Sequence, residues 1–320
     1  MAHVAIMGFG TVGSGAYEIL INNAETLKQK CKEPIIVKRV LDIADFPGNP
    51  VQKILTQNFD DILNDNEISI VMETIGGTGF VYDYTKSLLS KGKSVVTSNK
   101  AMVADYGQEL TELAEKNGAQ YLFEASVCGA IPIISPLRKS LSSNNISEIK
   151  GILNGTTNYI LTTMFKSGED FSTVLKQAQA HGYAERDPAD DVEGHDTRRK
   201  IAILAWLAFG EAGKKVHWKD VPTTGITQIT LSDLQDAEAA GCVLKLIGHA
   251  KLTNGKVECS VSPMRIPKNS PLANVDDVYN AILINGDAAG DVMFYGRGAG
   301  KLATGSSIVA DVMEIVRAKG

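Results

Sequence analysis

The 320-residue sequence is short of several things, and each shortage removes a class of protein. Its four cysteines, Cys31, Cys128, Cys242 and Cys259, show neither paired nor CxxC spacing. A disulfide framework is therefore not expected, and reduced thiols in the cytoplasm are. No apolar run reaches the roughly 18–20 residues needed to span a bilayer. The opening "MAHVAIMGFG" enters a strand directly, without the basic segment or cleavage site of a secretory leader. Positive charge is scarce too, with 32 Lys+Arg against 37 Asp+Glu and a formal net charge of -5. The short basic groups at 28–32 and 198–200 form no stripe, so neither nucleic acid nor a membrane is expected as a partner. What is present, 44% hydrophobic and 22% charged residues, suits a globular chain with a sizeable core.

The first third alternates short apolar runs with amphipathic stretches. Strands are expected at His3–Met7, Ile35–Ile43, Ile68–Thr74, Ser94–Ser98 and Tyr121–Ala125, with a helix over Tyr106–Asn117 that ends at Asn-Gly. This βαβα rhythm predicts an α/β fold built on a Rossmann-type, doubly wound parallel sheet. After about Ile131 the texture changes. "ISEIKGIL" and "KKVHW" read as strands, and "AKLTNGKVECSVSPMRI" reads as a hairpin around Asn254-Gly255. "YNAILINGDAAGDVMFYG" reads as a second hairpin turning at 286–290, and the tail as a Gly-rich loop followed by a helix. We therefore expect a Rossmann-type domain of residues 1–130 plus 296–320, packed with a second, α+β domain of residues 131–295.

"HVAIMGFGTVGSG" places Gly8, Gly10 and Gly13 as G-x-G-x-x-G between a strand and a helix. Gly8 would permit the tight turn, Gly10 the approach of a pyrophosphate, and Gly13 close packing of the helix, whose N-terminus favours an anion. The acidic residue expected about 20–30 residues further on could be Asp42, which would bond a ribose 2′-hydroxyl and repel a 2′-phosphate. It could equally be an ordinary strand-end residue; Lys38 and Arg39 lie nearby, within the strand.

Lys100, in "VVTSNKAMVA", stands at the carboxyl end of a predicted strand, the edge where open α/β sheets bind ligands. It could polarise a carbonyl or touch a nicotinamide, or simply be a solvated first-turn lysine. "GYAERDPADDVEGHDTRRK" leads an acidic loop into a helix that opens on Arg198, Arg199 and Lys200 and is apolar over Ile201–Phe209. Asp196 and Lys200 are spaced i,i+4 on one face. Arg199 and the helix dipole would lower the Lys200 pKa, making it a credible general acid, with Glu185 folding back from the loop and the carboxylates holding an amino group. Asp190 and Asp191 read as an N-terminal anion cap or solvated loop, since no EF-hand or histidine spacing supports a metal among Glu185, Asp187, Asp190 and Asp191. Cys128 follows a predicted strand, where a nucleophilic thiol would make an acylating semialdehyde dehydrogenase, although a small buried thiol fits "FEASVCGAIPII" as well. A nicotinamide-binding sensor without catalysis is the third reading.

Six stretches together, "GFGTVGSG", "TSNKAMVA", "FEASVCGAIPII", "GILNGTTNYIL", "GYAERDPADDVEGHDTRRK" and "GRGAGKLATGSSIVADV", resemble homoserine dehydrogenase over nearly the whole chain. The resemblance implies reduction of L-aspartate 4-semialdehyde to L-homoserine by a reduced nicotinamide cofactor, on the route to threonine, methionine and isoleucine. It implies Lys200 as proton donor and Lys100 as a lysine at cofactor and substrate. Glu185 and Asp196 would hold the substrate, an amino acid. Phe9, Thr11, Val12, Gly182, Glu185 and Gly300 would touch the cofactor. Glu124, Val127, Gly129 and Ile131 would form a sodium site built largely from backbone oxygens. A homodimer or homotetramer is expected. Many relatives carry an arginine where this chain has Ala44, so NAD use is more plausible than strict NADP use. The sequence stops just after the expected Asp311–Ala318 helix, and weak or absent threonine feedback through an added domain is expected.

Overall fold

The computed structural model describes residues 1–318. It divides into two compact units, Met1–Ala130 with the segment from Ala299 onward, and Ile131–Gly298.

The first unit is a six-stranded, all-parallel sheet. Its strands are β1 (Ala2–Met7), β2 (Ile35–Leu41), β3 (Leu55–Thr56), β4 (Ile68–Glu73), β5 (Ser94–Thr97) and β6 (Tyr121–Leu122), in the order β3-β2-β1-β4-β5-β6. This is the doubly wound order, whose reversal between β1 and β4 opens a crevice at the strands' carboxyl ends. β1 and β4 are covered on both faces, which explains why "AHVAIM" and "ISIVME" are apolar runs rather than alternating ones. Val4, Ile6, Ile70 and Met72 pack with Ile308, Val312 and Ile315 of the last helix, Lys301–Ala318, in one apolar core. That helix starts ten residues earlier than the Asp311–Ala318 segment named from sequence. The expected Tyr121–Ala125 strand is cut to two residues, because Asp311 Oδ2 takes the Glu124 N–H at 2.9 Å and the chain turns into a 3-10 helix over Glu124–Ser126.

The second unit is a five-stranded antiparallel sheet. β7 (Ile146–Ile152), β8 (Cys242–Thr253), β9 (Lys256–Pro267), β10 (Tyr279–Gly286) and β11 (Gly290–Arg297) lie in the order β11-β10-β7-β8-β9. Both hairpins fall where the sequence put them. Asn254 and Gly255 take φ of +49° and +75°, the two left-handed residues that a tight hairpin turn requires. "KKVHW" is not a strand. Lys214 caps the long helix His195–Gly213, and the chain then forms a 3-10 turn at Trp218–Asp220. Its alternation reflects a loop pinned by Trp218, with the Arg198 guanidinium 4.9 Å from the indole ring. Among the described residues no helix is long and apolar enough to cross a membrane.

Candidate functional site

In the first unit the glycine loop leaves the carboxyl end of β1. Gly8 has φ +91°, a conformation that costs a side-chain-bearing residue about 1 kcal/mol or more. A Cβ on Gly13 would lie 2.0 Å from the Gly8 carbonyl oxygen, so the first helix turn sits directly on the loop. Gly10 differs from both: its φ is an ordinary -73°, and a Cβ there would meet no protein atom within 4 Å. The fold therefore explains the first and third glycines and leaves the space above the second to a ligand. Thr11 and Val12 begin the helix Thr11–Asn22, and no side chain caps it, so its first N–H groups face the loop uncapped.

A cleft of about 340 Å³ opens beside this loop, lined by Gly8, Gly10, Asp42, Ile43, Thr74, Phe80 and Tyr84 among others. Asp42 is more than a strand-end residue. One carboxylate oxygen accepts from Phe9 N at 2.6 Å and the other from Ala44 N at 2.9 Å, tying the end of β2 to the glycine loop. The Phe9 ring is buried edge-on against Tyr17 and Phe46. Lys38 is engaged with Asp65 at 2.9 Å and Glu67 at 2.6 Å, and neither it nor Arg39 lines the cleft.

Across the crevice, Glu73 closes β4 and has no exposed surface. Its carboxylate accepts from Thr97 Oγ1 at 2.5 Å and from the N–H groups of Ile75 and Gly76 at 2.8 and 3.1 Å. Loss of water raises its pKa above the ordinary carboxylate value, and those hydrogen bonds oppose the rise. Thr97 in turn accepts from Asn99 N at 2.9 Å, and the Asn99 side chain caps the helix that Lys100 opens. Lys100 thus stands, half-buried, at the carboxyl edge of β5 on a loop set by a buried acid. Glu73's part is not legible in the sequence, because a lone acid ending an apolar run looks like a boundary.

In the second unit the helix His195–Gly213 starts after Gly194, whose φ is +82°. Asp196 is consequently in its first turn and Lys200 in its second, rather than at its head. Both are buried and form an ion pair of 2.7 Å. Lys200 Nζ also donates to the Leu153 carbonyl at 2.8 Å. The carboxylate at this range balances the ammonium charge that burial would otherwise leave unpaired. Arg199 is itself engaged by Asp190 and lies over Trp218.

Asn154, which follows Leu153 in "GILNGTTNYIL", is a site residue with no motif of its own to mark it. Its Oδ1 caps the helix Gly155–Ser167 through Thr157 N at 2.9 Å. Its Nδ2 donates to Asp191 Oδ1 at 2.7 Å and to Asp196 Oδ2 at 2.9 Å. Asp191 lies in the first turn of the short helix Ala189–Val192, as an N-terminal acid would, but it is half-buried and bonded to Asn154 rather than simply solvated. Burial first, and the Asp196 charge second, raise its pKa. Glu185 stands apart from this cluster. It is exposed, and its backbone carbonyl accepts from the Gln179 side chain at 3.0 Å. Gly182 precedes it in the same exposed turn, with φ +73°.

Gly300, with φ +135°, precedes the last helix, and Thr304 N donates to its carbonyl at 2.8 Å. Glu124, Val127, Gly129 and Ile131 are all buried; Gly129 has φ +50° and its carbonyl accepts from Ser307 Oγ at 2.7 Å. Cys128 is 1% exposed and in no disulfide, so it lacks the access that a nucleophilic thiol requires.

Two family models match the chain. One described as homoserine dehydrogenase, NAD binding domain, matches residues 8–124, and one described as homoserine dehydrogenase matches residues 132–313. The homoserine dehydrogenase of Bacillus subtilis (strain 168) is 41% identical, over 98% of this chain and 72% of its own length. The crystal structure of a homoserine dehydrogenase from Thiobacillus denitrificans superposes with a TM-score of 0.93 at 40% identity, covering 99% of this chain and 74% of that one. A hyperthermophilic archaeal homoserine dehydrogenase mutant, in complex with NADPH, matches with a TM-score of 0.82 at 26% identity, covering 98% of this chain and 97% of that one.

Proposed function

The chain belongs to the homoserine dehydrogenase family, and from that premise we propose which of its groups carry the reaction. The activity is the reversible NAD(P)-linked reduction of L-aspartate 4-semialdehyde to L-homoserine. A bound reduced nicotinamide supplies the hydride for the aldehyde carbon. As the aldehyde oxygen gains negative charge, Lys200 gives it a proton, and Lys100 adds positive potential. Asp196 holds the substrate's amino group, and Glu185, exposed on its loop and apart from Asp196 in this structure, would join it by closing over the substrate. The observation that carries this reading is the buried 2.7 Å pair of Lys200 and Asp196, with a second acceptor on the same ammonium. An amine so held loses little freedom when substrate arrives.

Nucleotide binding belongs to residues 1–130 with 296–320, and substrate binding and dimerisation to 131–295. Gly8, Gly10 and Gly13 form the phosphate turn, with Phe9, Thr11, Val12, Lys100, Gly182, Glu185 and Gly300 as further cofactor contacts. The preferred cofactor is NAD. Asp42 is the one charged residue lining the cleft beside the glycine loop, and a 2′-phosphate there would meet a carboxylate and no cation. The archaeal relative in complex with NADPH shows that the family fold also accepts the phosphorylated cofactor in that protein. Sodium is proposed at Glu124, Val127, Gly129 and Ile131, since buried carbonyls and a buried carboxylate offer only oxygen donors, which suit a hard cation. Sodium would brace that turn, and replacing it by a bulky organic cation should lower the melting temperature. The working form is a cytoplasmic homodimer or homotetramer.

One assay tests the core of this reading: absorbance of the reduced cofactor with homoserine, and then with aspartate semialdehyde, using NAD and NADP in turn. Turnover with NAD exceeding that with NADP is expected. Lys200→Ala should cut kcat about 10²-fold or more while leaving cofactor affinity intact. Equal loss of both, or full turnover, overturns the donor role.

A further inference from the structure

The side chain of Asn154 makes three contacts that serve two purposes. Its carbonyl oxygen caps the helix Gly155–Ser167. Its amide nitrogen spans two carboxylates, Asp191 at 2.7 Å and Asp196 at 2.9 Å. The preceding residue, Leu153, accepts from Lys200 at 2.8 Å. One dipeptide therefore holds the amine from its backbone and the amine's partner from its side chain.

We propose that Asn154 is a positioning residue for the reaction, its amide nitrogen holding Asp196 against Lys200 and keeping the Asp191 carboxylate from displacing it. The proposal rests on Lys200 being the proton donor. Two carboxylates crowded into one buried site repel, and one of them takes up a proton unless donors stabilise both charges. The charged groups facing Asp191 are Asp196, which raises its pKa, and Lys200, which lowers it; Asn154 and Thr156 lower it by hydrogen bonds. Arg199 is engaged by Asp190 and does not substitute for the bridge. Asparagine suits this place where aspartate does not: only the amide supplies an acceptor for the helix and a donor for the acids together.

Asn154→Ser separates the two purposes. Serine caps helices about as well as asparagine, so the fold should hold, but it cannot reach both carboxylates. We expect kcat to fall on the order of 10-fold to 100-fold, with the acid limb of its pH profile moved to higher pH, because carboxylates deprived of N–H donors protonate more readily. The KM for cofactor should stay unchanged. Asn154→Asp provides a second reading with the same shape and cap. It sets a third carboxylate oxygen against the other two, so activity should be low at neutral pH and recover as the pH falls and the new carboxyl becomes a donor.

A purely structural asparagine would instead give two variants with lowered melting temperature and an unmoved pH profile, and that result overturns the proposal even if serine unfolds the protein. Lys200→Ala, measured alongside, keeps the two readings apart. An inactive Lys200→Ala with a wild-type profile in both Asn154 variants sinks the positioning role alone, whereas an active Lys200→Ala sinks the donor.

Discussion

In the first unit the groups that could meet a ligand are mostly backbone: the glycine loop after β1 and the uncapped start of the helix Thr11–Asn22, beside the turn of Ile75 and Gly76 that Glu73 holds. In the second they are side chains: Lys200, Asp196 and Asn154, buried together, with Asp191 half-buried beside them. The first arrangement demands open space and fixed backbone, so it is damaged by adding atoms. The second demands particular charges, so it is damaged by removing them. A family of substitutions that enlarge or truncate should therefore affect the two units in opposite ways.

The largest effect should come from the second unit. Asp196→Ala leaves the Lys200 ammonium beside a cavity, and removing one partner of a buried ion pair costs about 3–5 kcal/mol. We expect the denaturant midpoint to drop accordingly and turnover to be lost, with Asp196→Asn recovering part of the stability and little of the activity. Equal activity in the two variants would show that the carboxylate's charge is irrelevant. The matching change in the first unit is Gly13→Ala, a gain of one methyl. That methyl would lie 2.0 Å from the Gly8 carbonyl oxygen, a backbone atom that cannot swing away. Overpacking of this kind costs about 1–3 kcal/mol and should displace the loop, raising the KM for cofactor more than that for substrate. Gly10→Ala sharpens the contrast: it should leave stability nearly intact, since the added Cβ meets no protein atom, yet weaken cofactor binding.

The same contrast explains what could be read in the sequence. A backbone site announces itself through glycine spacing, because few other residues tolerate φ of +91° at Gly8 or the approach at Gly13. The parallel sheet was legible for a similar reason, since strands covered on both faces are apolar runs. A side-chain site is only half announced. The i,i+4 spacing brought Asp196 and Lys200 together, but Asn154 lies 42 residues away in sequence from Asp196 and joins them only through tertiary packing. Asp191 reads as a cap or a solvated loop residue because the run of acids around it resembles a surface loop, and its bond to Asn154 is a tertiary contact. "KKVHW" failed differently: its alternation matched a strand, and contacts of Trp218 with the Arg198 and Arg199 guanidiniums overrode it.

Cofactor choice should respond to Asp42 with a smaller effect. Asp42→Asn keeps an acceptor for Phe9 N or Ala44 N while removing the charge that a 2′-phosphate would face. The ratio of kcat/KM for NAD over NADP should fall by about 10-fold, chiefly through a lower KM for NADP, as expected for relief of a like-charge clash of about 1–2 kcal/mol. An unchanged ratio would move the preference to some other part of the cofactor site.

The smallest effect concerns Glu73, where backbone and side chain meet. Burial raises its pKa in the folded protein above the ordinary carboxylate value, which is the value it regains on unfolding. A raised carboxyl contributes most below the unfolded pKa, where both states are protonated, and that contribution is lost as the pH climbs through the folded value. Wild-type stability should thus decline across that window relative to Glu73→Gln, whose amide can still accept from Ile75 and Gly76 and can donate to Thr97. Melting temperatures of both proteins from about pH 4 to about pH 8 test this, and the gap should open in favour of glutamine as the pH rises. A constant gap would mean that the hydrogen bonds from Thr97, Gly76 and Ile75 fully compensate burial. The acid's value would then lie only in fixing the turn that follows β4, which is how a backbone site comes to depend on one charge.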